Sequence, residues 1–221
     1  MMNVSDWIDE QKLTVCIGPK GLPAWLAIDP TRSLEDELGI RFDWLPITTG
    51  LESLSASVPG APAENDPLAE YKARRRRARE KWARREFERS CERLALTEAE
   101  ATRDYDVATA AMALLWVRKS GLDCGAFIRE VFEGACCGNL NPEDPGTIEE
   151  LLMVCEIPHR GFAEYCEADG PRELQELQGV FEELQVFSSP AYLYKGERFH
   201  GREHLPLIRW YLTGRVGSPP V

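Results

Sequence analysis

The chain has 221 residues, of which 43% are hydrophobic and 29% charged. That length can bury a substantial core, and that balance excludes an intrinsically disordered chain. Its 26 basic and 37 acidic side chains give a net charge of −11, which argues against a general nucleic-acid binder, since that role needs a positive footprint.

Residues 1–12 carry Asp6, Asp9 and Glu10 and show no basic-then-apolar leader. No apolar run anywhere in the chain reaches the ~18 residues of a membrane span. Seven cysteines (Cys16, Cys91, Cys124, Cys136, Cys137, Cys155 and Cys166) include no C-x-x-C pair, and an odd count does not suit a closed disulfide framework. Most of them are expected to be small buried thiols in a reducing compartment, so a cytoplasmic location is expected.

Leu13–Ile17 is a short apolar run stopped by Gly18–Pro19 and reads as a buried strand. The turn-rich Gly18–Pro23 follows, and a helix begins near Pro23, with a break and restart expected around Asp29–Pro30 and a stop at Gly39. Ile40–Ile47 alternates at period two, which predicts a second strand and a β-α-β opening. Residues 48–66 are rich in Ser, Gly, Pro and Ala and read as a linker. From Asp66 to Leu94 the pattern is helical, with Leu68, Tyr71, Ala78, Trp82, Cys91 and Leu94 near one face. This stretch is also rich in arginine, and the run Arg74–Arg77 points around the whole helix. Further helices are expected through residue 169, with a capping box at Thr147–Glu150. The last part reads as a helix over Pro171–Gln185, a break at Ser188–Pro190, a strand at Ala191–Tyr194, a hairpin turn at Lys195–Gly196, a partner strand at Glu197–His200, and a closing helix over Leu205–Leu212.

That order is an α/β, thioredoxin-like fold with an inserted all-helical domain. The expected division is 11–50 with 170–214 for the thioredoxin-like part, and 62–168 for the insertion. Two segments carry a more specific likeness. Val186–Tyr192 reads V-F-S-S-P-A-Y, and Lys195–Leu205 reads K-G-E-R-F-H-G-R-E-H-L. Together they resemble the ending of the DsbA-like family, in particular the branch of 2-hydroxychromene-2-carboxylate isomerases and kappa-class glutathione transferases. The helix and loop of Phe127–Leu152 resemble that branch's helical domain.

The resemblance implies a cis peptide bond at Ser189–Pro190, with the backbone of Ser189 offered to glutathione as an added strand would offer it. It implies ligand contacts from Arg202, Glu203 and His204, although Glu203 and His204 depart from the Asp and Arg of the family pattern. It further implies a glutathione-dependent isomerase or transferase acting on a hydrophobic or aromatic acid. The expected partners are a small-molecule substrate and, as an option left open, a second copy of the chain; neither a membrane nor a nucleic acid is expected. No metal site is expected, because His200 and His204 alone are weak grounds for one.

The N-terminal site departs from the family. Redox members place C-x-x-C at the start of the first helix, and isomerases place Ser there. Gly18–Ala27 here reads G-P-K-G-L-P-A-W-L-A, with neither Cys nor Ser. Disulfide exchange therefore lacks its nucleophile. Lys20 is the single weak catalytic candidate, and a solvated loop lysine is the plainer reading of it. The alternative function is a non-catalytic binding protein that kept the cis-proline groove.

Overall fold

A computed structural model describes residues 4–49 and 68–220. The first strand, β1 (Thr14–Ile17), is buried along its whole length, as a central strand covered on both faces must be. It pairs in parallel with β2 (Asp43–Pro46), Thr14 opposite Asp43 and Ile17 opposite Pro46. On its other side it pairs antiparallel with β3 (Ala191–Tyr194), Cys16 opposite Ala191. The edge strand β4 (Glu197–His200) completes a four-stranded sheet of order β2-β1-β3-β4. Lys195 and Gly196 join β3 to β4 with positive φ angles of 49° and 78°, the turn geometry whose twist matches a hairpin.

Between β1 and β2 runs α1 (Leu22–Leu38), ended by Gly39 in the left-handed conformation. The expected break at Asp29–Pro30 does not occur: Pro30 lies inside a continuous helix. Proline has no N–H to offer the carbonyl four residues back, here that of Leu26. The Arg202 guanidinium donates to that carbonyl at 3.2 Å instead, and the helix continues. The second strand is shorter than the alternating 40–47 run, and Trp44 and Leu45 are both buried, because the chain is covered on both sides there.

The described helices after β2 are α2 (Ala69–Leu94), α3 (Glu98–Ala101), α4 (Ala108–Lys119), α5 (Cys124–Cys137), α6 (Pro145–Val154), α7 (Phe162–Glu167) and α8 (Asp169–Glu183). A final helix, α9 (Leu205–Leu212), follows β4 after a short 3₁₀ turn at Arg202–His204. The linker over 48–66 and the expected boundary at residue 62 fall largely or wholly outside the described residues. Among the described residues, no helix is long and apolar enough to cross a membrane.

The helix α4 packs against both β2 and α8. One contiguous core holds Val15 and Leu45 of the sheet together with Leu114, Ile128, Leu177 and Val180 of the helices. Arg118 of α4 fastens this junction, with Nε and Nη2 on the Asp43 carboxylate at 2.6 and 2.9 Å and Nη2 also on the Trp7 carbonyl.

Two further sequence expectations are corrected. The capping box is not at Thr147–Glu150: Asp144 caps α6 by accepting the Thr147 N–H at 3.0 Å, and Pro145 opens the helix. A capping box lies instead at Thr97 and Glu100, ahead of α3. Nor does the stripe of α2 face the core. Leu68, Tyr71 and Trp82 are all more than half exposed, and among the described residues of this helix only Ser90 and Cys91 are buried. Arg75, Arg85 and Arg89 fall within the same stripe at helical spacing and would have to be buried with it, at a cost that apolar residues so sparse cannot offset.

Candidate functional site

The chain leaves β1 at Ile17 and turns through Gly18–Gly21 into α1. Gly21 sits at φ 98°, ψ 139°, a conformation open to glycine, and no side chain caps the helix. Across from this loop the chain enters β3 through Ser188–Pro190. The Ser189–Pro190 bond is cis. The Gly18 N–H donates to Ser189 Oγ at 2.7 Å, so the loop and the cis-proline turn touch directly. The Pro190 carbonyl accepts the Gly201 N–H at 2.9 Å, which draws the start of the Arg202–His204 segment to the same turn. Among the described residues, no hydrogen bond uses the backbone N–H or C=O of Ser189.

The N-terminal side of the cleft is fastened. Lys20 Nζ forms an ion pair with the Asp104 carboxylate, donates to the Tyr105 carbonyl at 3.2 Å, and lies 5.4 Å from the Tyr105 ring centre. Tyr105 Oη donates to the Pro19 carbonyl at 2.7 Å. The Lys20 ammonium holds the Asp104 carboxyl below its ordinary range. Burial pushes the Tyr105 hydroxyl well above its ordinary value, so it acts as a neutral donor. Lys20 is thus a tether between the β1–α1 loop and the segment ahead of α4.

Cys16 stands on β1, fully buried, and burial raises its thiol far from the thiolate range. Cys124 is pushed up to about 12 and Cys136 to about 11 by the same desolvation. These thiols are structural, as a low-dielectric site disfavours the charged nucleophile.

The C-terminal candidates divide. Arg202 is committed to the Leu26 carbonyl and so completes α1. The Glu203 carboxylate folds over Gly201, whose positive φ of 96° is a conformation open to glycine. The His204 ring packs against Phe199 with centres 5.9 Å apart. His200 Nδ1 is 2.9 Å from Ser188 Oγ, and no cluster of metal-ligating side chains exists among the described residues. The structure therefore brings Ser189, Pro190 and the Lys20 loop to one place and turns Arg202 toward the scaffold.

Sequence reasoning missed Asp104 and Tyr105. They lie in a stretch without hydrophobic periodicity; the one available signal was a tyrosine flanked by Asp104 and Asp106. It also missed the side-chain role of Ser189 as acceptor for the Gly18 amide.

Similarity to solved structures agrees with this architecture. A 2-hydroxychromene-2-carboxylate isomerase superposes with a TM-score of 0.61 at 14% identity, covering 92% of this chain and 95% of that one. A candidate protein disulfide isomerase from Nitrosomonas europaea gives 0.63 at 12% identity, covering 95% and 100%. The chain has the thioredoxin-like fold of the DsbA-like proteins. No protein-family model matches the sequence, and no curated protein does. In this DsbA-like fold the cis-proline turn is intact, while the start of α1 has no thiol or hydroxyl within residues 18–27.

Proposed function

We propose that the protein binds glutathione, or a similarly extended thiol peptide, along the cis-proline turn and carries out no thiol–disulfide exchange. The observation behind this reading is the backbone of Ser189. Its N–H and C=O are without hydrogen bonds among the described residues, at a turn that faces the β1–α1 loop. Backbone groups of this kind pair with an extended ligand as an edge strand does. The turn suits a peptide backbone; Lys20 is paired with Asp104, whereas Arg202 gives one N–H to the Leu26 carbonyl and has no carboxylate partner among the described residues, so of the two it is the cation left for a ligand carboxylate. Seven free cysteines fit a reducing compartment such as the cytosol.

A glutathione-dependent isomerase or transferase acting on an aromatic acid is a second reading, favoured by the likeness to a 2-hydroxychromene-2-carboxylate isomerase. In that case the thiolate of the bound peptide would be stabilised by the uncapped amides of α1, since no side-chain hydroxyl lies there.

Calorimetric titration with reduced glutathione and with S-methylglutathione tests the first reading. Both are expected to bind with similar affinity, and insulin reduction and dithiol oxidation are expected at background. Glutathione-dependent turnover of a hydroxychromene carboxylate would establish the second reading. Failure of both ligands to bind at 10 mM, a concentration of roughly the weakest useful affinity, would overturn both.

A further inference from the structure

The outer length of α2 has no role in the site just described, and its chemistry is unlike the rest of the chain. Residues 69–94 hold eleven basic and five acidic side chains, whereas the remainder holds 15 basic and 32 acidic. At a rise of about 1.5 Å per residue the helix is roughly 39 Å long. Only its C-terminal third is buried, against α1 and α3. Tyr71, Ala78, Trp82 and Arg85 recur at intervals of three, four and seven residues and so share one face. Tyr71 is 59% exposed and Trp82 60% exposed. Some of the helix's charge is already matched: Arg76 pairs with Glu80, Arg84 with Glu88 and Glu98, and Arg89 with Glu86. Arg74, Arg75, Arg77, Arg79, Lys81 and Arg85 make no ion pair among the described residues.

The complementary surface lies on the same chain. Residues 145–169, which include α6 and α7, hold six acidic side chains and one basic one, Arg160. α6 packs against α7, and Glu150 of α6, Glu156 just after it and Glu164 of α7 are all exposed. Met153 and Val154 follow Glu149 and Glu150 by four residues each and so share their face of α6; they are 55% and 75% exposed. This face therefore has what the α2 face lacks: negative charge around an apolar centre.

We propose that the basic aromatic face of α2 docks on the acidic α6–α7 face of a second copy of this chain, and the reverse, in a two-fold dimer. Two-fold pairing satisfies both surfaces of both copies at once. Pairing α2 with α2 would bring like charges together. An anionic polymer drawn to α2 would meet a body carrying more than twice as many acidic as basic groups, whereas the acidic face of a second copy is attracted to α2 and carries a matching apolar centre. Trp82 entering between Met153 and Val154 would supply the desolvated anchor such an interface needs.

Analytical ultracentrifugation of the full chain tests this. The wild type is expected to be dimeric at micromolar concentration in 50 mM salt and to dissociate in 1 M salt, where exposed charge pairs are screened beyond about 3 Å. A variant with Arg74→Glu, Arg77→Glu, Lys81→Glu and Arg85→Glu should be monomeric, its dissociation constant raised at least a hundredfold. A variant with Glu150→Lys, Glu156→Lys and Glu164→Lys should be monomeric as well. Mixed in equal amounts, the two should form a dimer again, because each then carries the charge its partner requires; unfolded variants could not do this. A wild type that stays monomeric in 50 mM salt, a dimer that survives both reversals, or a mixture that stays monomeric would overturn the proposal. So would a monomeric wild type that binds a single-stranded oligonucleotide, which would assign the α2 face to nucleic acid.

Discussion

The two ends of α1 differ in how they treat polar groups. Along its body the helix is attached to the fold by bonds that are buried or partly buried. Arg202 takes the Leu26 carbonyl that Pro30 leaves unbonded, Thr31 Oγ1 meets Tyr192 Oη at 2.9 Å, and Glu35 accepts the Phe42 N–H at 2.7 Å and the Trp44 indole N–H at 3.2 Å. At its N-terminal end the contacts are shallower. Lys20 is held by Asp104, a residue 91% exposed, and the loop is steadied by Tyr105 and Ser189. The difference teaches that the body of the helix and its start are held by separate sets of contacts. The helix and the cis-proline turn are anchored as structure, while the helix start carries the Lys20–Asp104 tether and neither thiol nor hydroxyl within residues 18–27.

Damage to the helix body should accordingly cost stability without touching the cis-proline turn. Arg202→Ala is expected to lower stability by about 1–3 kcal/mol, the cost of leaving a buried carbonyl unsatisfied. Pro30→Ala restores the missing N–H, so the same Arg202 substitution should cost clearly less in that background; urea denaturation of the four proteins in the cycle measures the coupling. Equal costs in both backgrounds would show that Arg202 acts elsewhere.

Glu35 gives the pH signature of the same region. It is 2% exposed, its Oε2 has no partner, and burial raises its carboxyl above the ordinary value despite two hydrogen bonds. A raised folded-state value means that the contribution is fully present below the ordinary carboxylate range and is lost as pH rises through the folded value. The melting temperature of Glu35→Gln relative to the wild type should therefore rise as pH goes from 4 toward neutrality, because the substitution removes a contribution that the wild type loses over that range.

At the other end the effects are smaller. Tyr105→Phe removes the hydrogen bond to the Pro19 carbonyl and is expected to cost about 1 kcal/mol, with glutathione binding altered because the loop loses its support. Asp104→Asn should barely change stability, since the carboxylate is exposed. It frees the Lys20 ammonium beside the start of α1, and affinity for glutathione should rise roughly two- to fivefold. Unchanged affinity in both variants would remove the tether from the account of the site.

Much of this architecture was legible in the sequence. The buried run at Leu13–Ile17, the Lys195–Gly196 hairpin and the Ser189–Pro190 turn stand where the residue patterns and the family likeness put them, because each is set by local chemistry: continuous burial, paired positive φ angles, and a proline entering a strand. The errors arose where a distant residue overrides a local rule. Pro30 reads as a helix break until Arg202, more than 170 residues later, supplies the missing donor. The α2 stripe reads as a core face until three arginines within it make burial too costly. Asp104 and Tyr105 could not be found from spacing, because what places them against Pro19 and Lys20 is the packing of α4 on the sheet.

The most direct test of the account is an amide NMR titration of the wild-type chain with reduced glutathione. The account predicts that the amides of Ser189, Gly18 and Lys20 shift together and saturably, while that of Arg202 follows weakly. A titration that leaves Ser189 unmoved, or that moves resonances only in the α2 arginines, would contradict it.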